Sequence, residues 1–133
     1  MPSPQTFGGF AAPLLIALAA LAMLEIPAPA MAQGDPVAGK SLFARCAACH
    51  SVKPGENRMG PSLHGVVGRK AGVEPGFAYS PALKDSGLTW TPAELDAYLA
   101  NPRQKVPGVR MIFGGLPSPT DRANLIAYLA TLK

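Results

Sequence analysis

Cysteine is scarce in this chain: 133 residues hold two, Cys46 and Cys49, beside two histidines, His50 and His64. That scarcity excludes a disulfide framework. It also starves a tetrahedral zinc site, because beyond Cys46, Cys49 and His50 only His64 is left to offer a ligand. Strands alternating with helices are missing, which removes the thioredoxin-like reading of a C-x-x-C pair. No internal repeat or low-complexity tract follows residue 33. Nor is there a long basic tract, since Lys40, Arg45, Arg69-Lys70, Arg103, Lys105 and Arg110 occur as singles and pairs. The uncharged run from Phe10 to Leu24, closed by Glu25, is too short for an ordinary membrane span of about 20 residues.

That run reads as a leader. Ala30-Met31-Ala32 supplies the small-x-small pattern that a signal peptidase accepts, so residues 1–32 are expected to be a cleaved secretory signal peptide and residues 33–133 one exported, periplasmic domain. No Lys or Arg precedes the apolar run, which counts against a leader, and an uncleaved membrane anchor is the alternative. An anchored domain needs a flexible tether, however, and Asp35-Pro36 opens a helix almost at once. The leader holds none of the 12 basic residues and one of the 8 acidic ones, so the domain from Gln33 carries a net charge of about +5. A basic surface serves nucleic acid, anionic membrane or an acidic protein face. Export removes most nucleic-acid readings and leaves the acidic protein face.

Proline and glycine punctuate the rest into short helices with long turns, which makes the domain all-α. Asp35 caps a first helix with Pro36 at its first position, and Val37, Leu42 and Phe43 give it a modest apolar face running up to Cys46. Ser80-Pro81 starts a short turn of helix in the same way. Thr91-Pro92 with Glu94 is a capping-box pattern opening a helix through Leu95, Tyr98 and Leu99, which Asn101-Pro102 ends. Ser118-Pro119 with Asp121 opens the last helix, whose Leu125, Ile126, Tyr128, Leu129 and Leu132 recur at helical spacing. Three or four such helices make a small core, and the stretch from Ser51 to Tyr79 has little patterning of its own. A chain this short leans on a disulfide, a metal or a large apolar cofactor.

The two cysteines say which. Cys46-Ala47-Ala48-Cys49-His50 is the C-x-x-C-H attachment pattern of c-type haem: two thiols three residues apart each add to one vinyl group, and the following histidine reaches the iron from below the ring. A plain structural disulfide would close a tiny loop and leave His50 unexplained. The second axial ligand decides between carrying electrons and binding oxygen, carbon monoxide, nitric oxide or peroxide. Met1, Met23 and Met31 go with the leader, so Met59 and Met111 remain. Reach excludes neither, because the chain from His50 to Met59 spans up to roughly 30 Å when extended. Pro107-Gly108 precedes Met111 and offers a rigid turn to present its thioether, but a methionine there packs as readily as it ligates, and the residues alone leave both open.

Several stretches in order resemble the class I cytochromes c of the mitochondrial and alphaproteobacterial kind. They are Gly39 and Phe43 before the C-x-x-C-H motif, Gly60-Pro61-Ser62-Leu63-His64-Gly65, Gly68-Arg69-Lys70, Pro75-Gly76-Phe77-Ala78-Tyr79-Ser80, Leu88-Thr89-Trp90, Tyr98-Leu99-Ala100-Asn101-Pro102, Pro107 to Phe113 and Leu125 to Leu129. The resemblance implies a small cytochrome c fold, short helices and long loops wrapped around one covalent haem c, in a soluble one-electron carrier rather than an enzyme. It implies Met111 as the second axial ligand and a six-coordinate iron. It implies that the Pro61 carbonyl accepts the His50 ring N–H. It implies that Arg69, Tyr79 and Trp90 hold the buried propionate, although packing alone also accounts for Trp90 and Tyr98. Tyr98 matches a core tyrosine beside the methionine. Gly39, Phe43, Leu125 and Tyr128 match a crossing of the first and last helices. His64 and Met59 match surface or structural positions.

The implied partners are a cytochrome bc1-type membrane complex or a dehydrogenase as donor and a terminal oxidase as acceptor. Arg45, Arg103 and Arg110 match docking positions round the haem edge, while the turn from Gly114 to Pro119 lacks the lysines often found there. A haem peroxidase or gas-binding protein is the alternative if Met111 is not a ligand. Two departures stand out: Val109 replaces a common threonine and Leu83 a common asparagine. Both dry the pocket, which disfavours the extra positive charge of ferric iron and raises the potential. Val109→Thr is therefore expected to lower the midpoint potential, and a redox titration in which it does not would count against this account.

Overall fold

A computed structural model describes residues 1–6, 8–9 and 33–133. The apolar run and Ala30-Met31-Ala32 lie outside the described residues. The described residues form five α-helices: α1 (Pro36–Leu42), α2 (Pro81–Lys84), α3 (Pro92–Ala100), α4 (Pro102–Lys105) and α5 (Pro119–Leu129). A 3-10 turn, Phe43–Arg45, follows α1 directly. Among the described residues no strand forms, and one isolated antiparallel bridge pairs Lys70 with Thr89. The all-α expectation holds.

One device starts every helix. A polar side chain accepts a backbone N–H from the first turn, and proline follows at the first helical position, where its missing N–H costs nothing. Asp35 takes Val37 N–H at 2.8 Å, Ser80 takes Leu83 at 3.2 Å, Thr91 takes Glu94 at 3.2 Å, Asn101 takes Gln104 at 3.1 Å and Ser118 takes Asp121 at 3.2 Å. Two details depart from the sequence pattern. Glu94 makes an ion pair with Lys105 across the next turn, at 2.6 Å, so the capping box has only its threonine half. Asn101-Pro102 ends α3 as expected but also begins α4, an element the sequence reading lacks, because the same asparagine terminates one helix and caps the next.

Helix α1 packs across α5. Gly39 is buried where a side chain would run into the Asn124 carbonyl and come within 2.8 Å of Tyr128 Cβ. The crossing is latched by Asp35 N–H donating to Asn124 Oδ1 at 2.8 Å and by the rings of Phe43 and Tyr128, 5.6 Å apart. Helix α3 meets α5 through the Asp96–Arg122 ion pair, and Arg122 also donates to the carbonyls of Leu116 and Pro117. The loop before α5 thereby lies on α3, with Leu116 N–H on the Leu99 carbonyl at 2.7 Å and the Leu116 side chain fully buried. Gly39→Ala should lower the stability of the holo-protein by about 2 kcal/mol or more, since neither the α5 backbone nor Tyr128 Cβ is the free end of a side chain. Chemical denaturation followed by circular dichroism measures the loss.

Candidate functional site

Local winding sets the first part of the site. Phe43 carbonyl accepts from Cys46 and Ala47, and Cys46 carbonyl accepts from Cys49 and His50, at 2.8–3.0 Å. These tight turns bring Cys46, Cys49 and His50 to the wall of one cavity of about 480 Å³. Both thiols are free. Burial pushes the Cys46 thiol above its usual range, and the neighbouring Cys49 adds to the rise while Arg45 opposes it.

The loop Arg58 to Pro61 passes beneath the His50 ring. Gly60 N–H donates to the Cys49 carbonyl at 2.8 Å, and a side chain at Gly60 would collide with the imidazole, 2.7 Å from its Nδ1. His50 Nδ1 lies 2.7 Å from the Pro61 carbonyl oxygen. A carbonyl only accepts, so Nδ1 carries the hydrogen and Nε2 keeps its lone pair. Burial lowers the His50 pKa and favours this neutral ring, although the bond to Pro61 pulls the other way.

Across the chain, Met111 also lines the cavity, and Tyr98 O–H points to its sulfur at 4.0 Å. Burial pushes the Tyr98 hydroxyl up to about 12, so it remains a donor. The Tyr98 ring packs on Trp90 with centroids 4.8 Å apart. Trp90 is brought to Arg69 by the short bridge, with its N–H on the Arg69 carbonyl and its carbonyl taking Gly68 N–H, both at 2.8 Å. Arg69 and Tyr79 line the cavity too. Arg69 donates to the carbonyls of His64 and Ser62 and to Glu74 Oε2, and its Nε is buried with no hydrogen-bond partner among the described residues. The Tyr79 hydroxyl accepts from Glu74 N–H at 3.1 Å, which leaves its own hydrogen to donate.

The cavity therefore gathers Cys46, Cys49, His50, Pro61, Arg69, Tyr79, Trp90, Tyr98 and Met111. Val109 and Leu83 line it as well, with Leu95, Leu99, Leu125 and Leu129. His64 serves Arg69 through its backbone. Met59 touches the rim but is 79 % exposed and neighbours Gly60 on the His50 side. Arg45 and Arg110 are exposed at the rim, and Arg103 is exposed beside Ile112 and Phe113 in an adjoining depression. Three contributors were given no role from the sequence. Gly60 presses on the His50 ring. Glu74 pairs with Arg69. Asn57 donates to the Pro75 carbonyl at 2.9 Å and accepts from Ser62 N–H at 3.0 Å, tying two loops together. Gly60 had a signal in its place before Pro61, whereas nothing in the local sequence points to Glu74 or Asn57.

An apolar chamber with two thiols, a neutral imidazole with a free nitrogen, a thioether, and one buried guanidinium nitrogen lacking a partner suits a flat apolar macrocycle that carries a metal and an acidic edge. Comparison with known proteins agrees with that chemistry. The cytochrome c family model matches residues 36–133. The cytochrome c2 of Rhodoblastus acidophilus is 54 % identical over 101 residues, which is 75 % of this chain and 94 % of the relative. The cytochrome c2 of Rhodomicrobium vannielii is 53 % identical over 111 residues, 83 % of this chain and 89 % of the relative. The structure of cytochrome cH from Methylobacterium extorquens is 50 % identical and superposes with a TM-score of 0.71, covering 74 % of this chain and 99 % of the other. The chain belongs to the cytochrome c family, electron-transfer proteins that carry one covalent haem c.

Proposed function

We propose that the chain is a periplasmic one-electron carrier with His/Met ligation, exported by a cleaved leader over residues 1–32 and working between a membrane cytochrome complex or dehydrogenase and a terminal oxidase. The observation that supports this most is that His50 and Met111, far apart in sequence, line one apolar cavity, His50 donating to the Pro61 carbonyl and Met111 accepting from Tyr98. When bound, haem c supplies the ferric/ferrous couple. Cys46 and Cys49 would hold it by thioethers, and His50 Nε2 and Met111 Sδ would ligate its iron. Pro61 keeps the His50 ring in the tautomer that leaves Nε2 free, as a fixed orientation requires. Tyr98 donates to the Met111 sulfur and reduces its electron release, while Leu83, Val109 and the other apolar walls exclude water. Arg69 Nε and the Tyr79 and Trp90 side chains would receive a propionate, whose charge needs donors away from water.

The absorbance spectrum of the ferric protein tests the ligand set. The weak far-red sulfur-to-iron band should be present, and carbon monoxide should leave the ferrous spectrum unchanged. Met111→Ala should abolish the band and admit the gas. An absent band with gas binding in the parent would instead favour a peroxidase or gas-binding protein.

Arg45 and Arg110 are exposed residues of the cavity lining, and Arg103 is exposed in the adjoining depression. These charges would steer an acidic partner face, with Ile112, exposed and shared by cavity and depression, as an apolar contact. Electron-transfer rates with an acidic partner should fall as ionic strength rises, because exposed charges are screened beyond a Debye length of about 8 Å at physiological salt. Stopped-flow kinetics across a salt series reads this, and a flat series would remove the three arginines from the docking account.

A further inference from the structure

We propose that Glu74 tunes the redox potential of this chain by placing a negative charge that offsets the charge of Arg69 at the cavity wall. The inference rests on the reading that haem fills the cavity with an acidic edge at Arg69. Arg69 and Glu74 form a buried pair, Nη1 to Oε2 at 2.7 Å, with the two side chains 15 % and 11 % exposed. Arg69 lines the cavity and Glu74 does not. The guanidinium gives Nη1 also to the His64 carbonyl at 3.0 Å and Nη2 to the Ser62 carbonyl at 2.9 Å, so its plane is fixed from behind. Its buried Nε is the nitrogen that meets no oxygen among the described residues.

The charge balance follows from that arrangement. A propionate accepted by Arg69 would share one cation with Glu74, so this wall presents two carboxylates and one guanidinium. Ferric iron carries one more positive charge than ferrous. An unpaired Arg69 would oppose that charge and favour the ferrous state, and Glu74 offsets the arginine inside a dry wall where screening is weak. Glu74 also shapes the second donor, since its N–H occupies the Tyr79 hydroxyl oxygen at 3.1 Å and leaves the hydroxyl hydrogen for another acceptor. Burial raises the Tyr79 pKa and keeps that hydrogen in place. One residue thus sets the charge of one donor through its carboxylate and the direction of the other through its backbone.

Spectroelectrochemical titration of the holo-protein at neutral pH tests the proposal. Glu74→Gln keeps the shape and an oxygen for Arg69 but removes the charge. It should shift the equilibrium toward the ferrous form by about three- to tenfold against a fixed mediator, a rise of about 30–60 mV at 59 mV per tenfold, with the far-red band retained. Arg69→Gln should lower the potential, and adding Glu74→Gln to it should raise it again, which keeps the test decisive should the single Glu74 variant not fold. Arg69→Gln without any shift would overturn the reading of this wall and the proposal with it. A shift in Arg69→Gln but none on adding Glu74→Gln, in either background, would overturn the Glu74 proposal alone.

Discussion

The packing of α1 on α5 at Gly39 is the constraint on which the remaining structure depends. The glycine lets the α5 backbone approach where any side chain would collide, and Phe43 on Tyr128 extends the contact by one turn. Because the 3-10 turn follows α1 without a break, this crossing also decides where Cys46, Cys49 and His50 come to lie. From the other helix it presents Leu125 and Leu129 to the same cavity. Fully burying each of these leucines is worth about 2 kcal/mol, a modest return for two helices of 7 and 11 residues. So small a core encloses a large cavity only because the loops are tied down by polar contacts.

Two arginines do most of that tying, and they do it alike. Arg122 gathers the carbonyls of Leu116 and Pro117 and the carboxylate of Asp96, fixing the loop before α5 on α3. Arg69 gathers the carbonyls of Ser62 and His64 and the carboxylate of Glu74, fixing the irregular stretch after the histidine. A planar fork with five donors suits loops whose carbonyls have no helical partner, and a lysine could not satisfy three oxygens in one plane. The difference lies at Nε. Arg122 gives it to Asp96 at 2.7 Å, whereas Arg69, on the cavity wall, has no partner for it among the described residues. A fastening that is complete in one loop is left one bond short in the other.

Much of this was legible in the sequence because it is written in local chemistry. Each cap stands immediately before its proline, and the C-x-x-C-H spacing is a turn as well as a chemical motif. What stayed illegible is where one residue serves two elements or where partners meet outside any periodic spacing. Asn101 reads as a stop from α3 and as a start from α4, and only the fold shows both. Glu94 satisfies the capping pattern by position, yet its carboxylate has a cation in Lys105 and leaves the backbone. Glu74 and Asn57 lie in the stretch without helical or strand period, so no pattern brings either to the side chain or carbonyl it binds.

The electrostatics of the cavity follow from the same economy. Leu83 and Val109 put apolar side chains on its wall, and Arg69 enters with its charge matched by Glu74. What remains is a few oriented dipoles: the Pro61 carbonyl behind His50, the Tyr98 hydroxyl toward Met111 and the Tyr79 hydroxyl with its hydrogen spare. In a dry interior such dipoles act more strongly than in water and need no rearrangement when charge arrives. A one-electron carrier must accept and lose a charge with little reorganisation, and a wall of fixed dipoles meets that demand better than one of mobile water or unpaired ions. The basic residues Arg45, Arg103 and Arg110 stand exposed instead, where solvent screens their charges from the cavity.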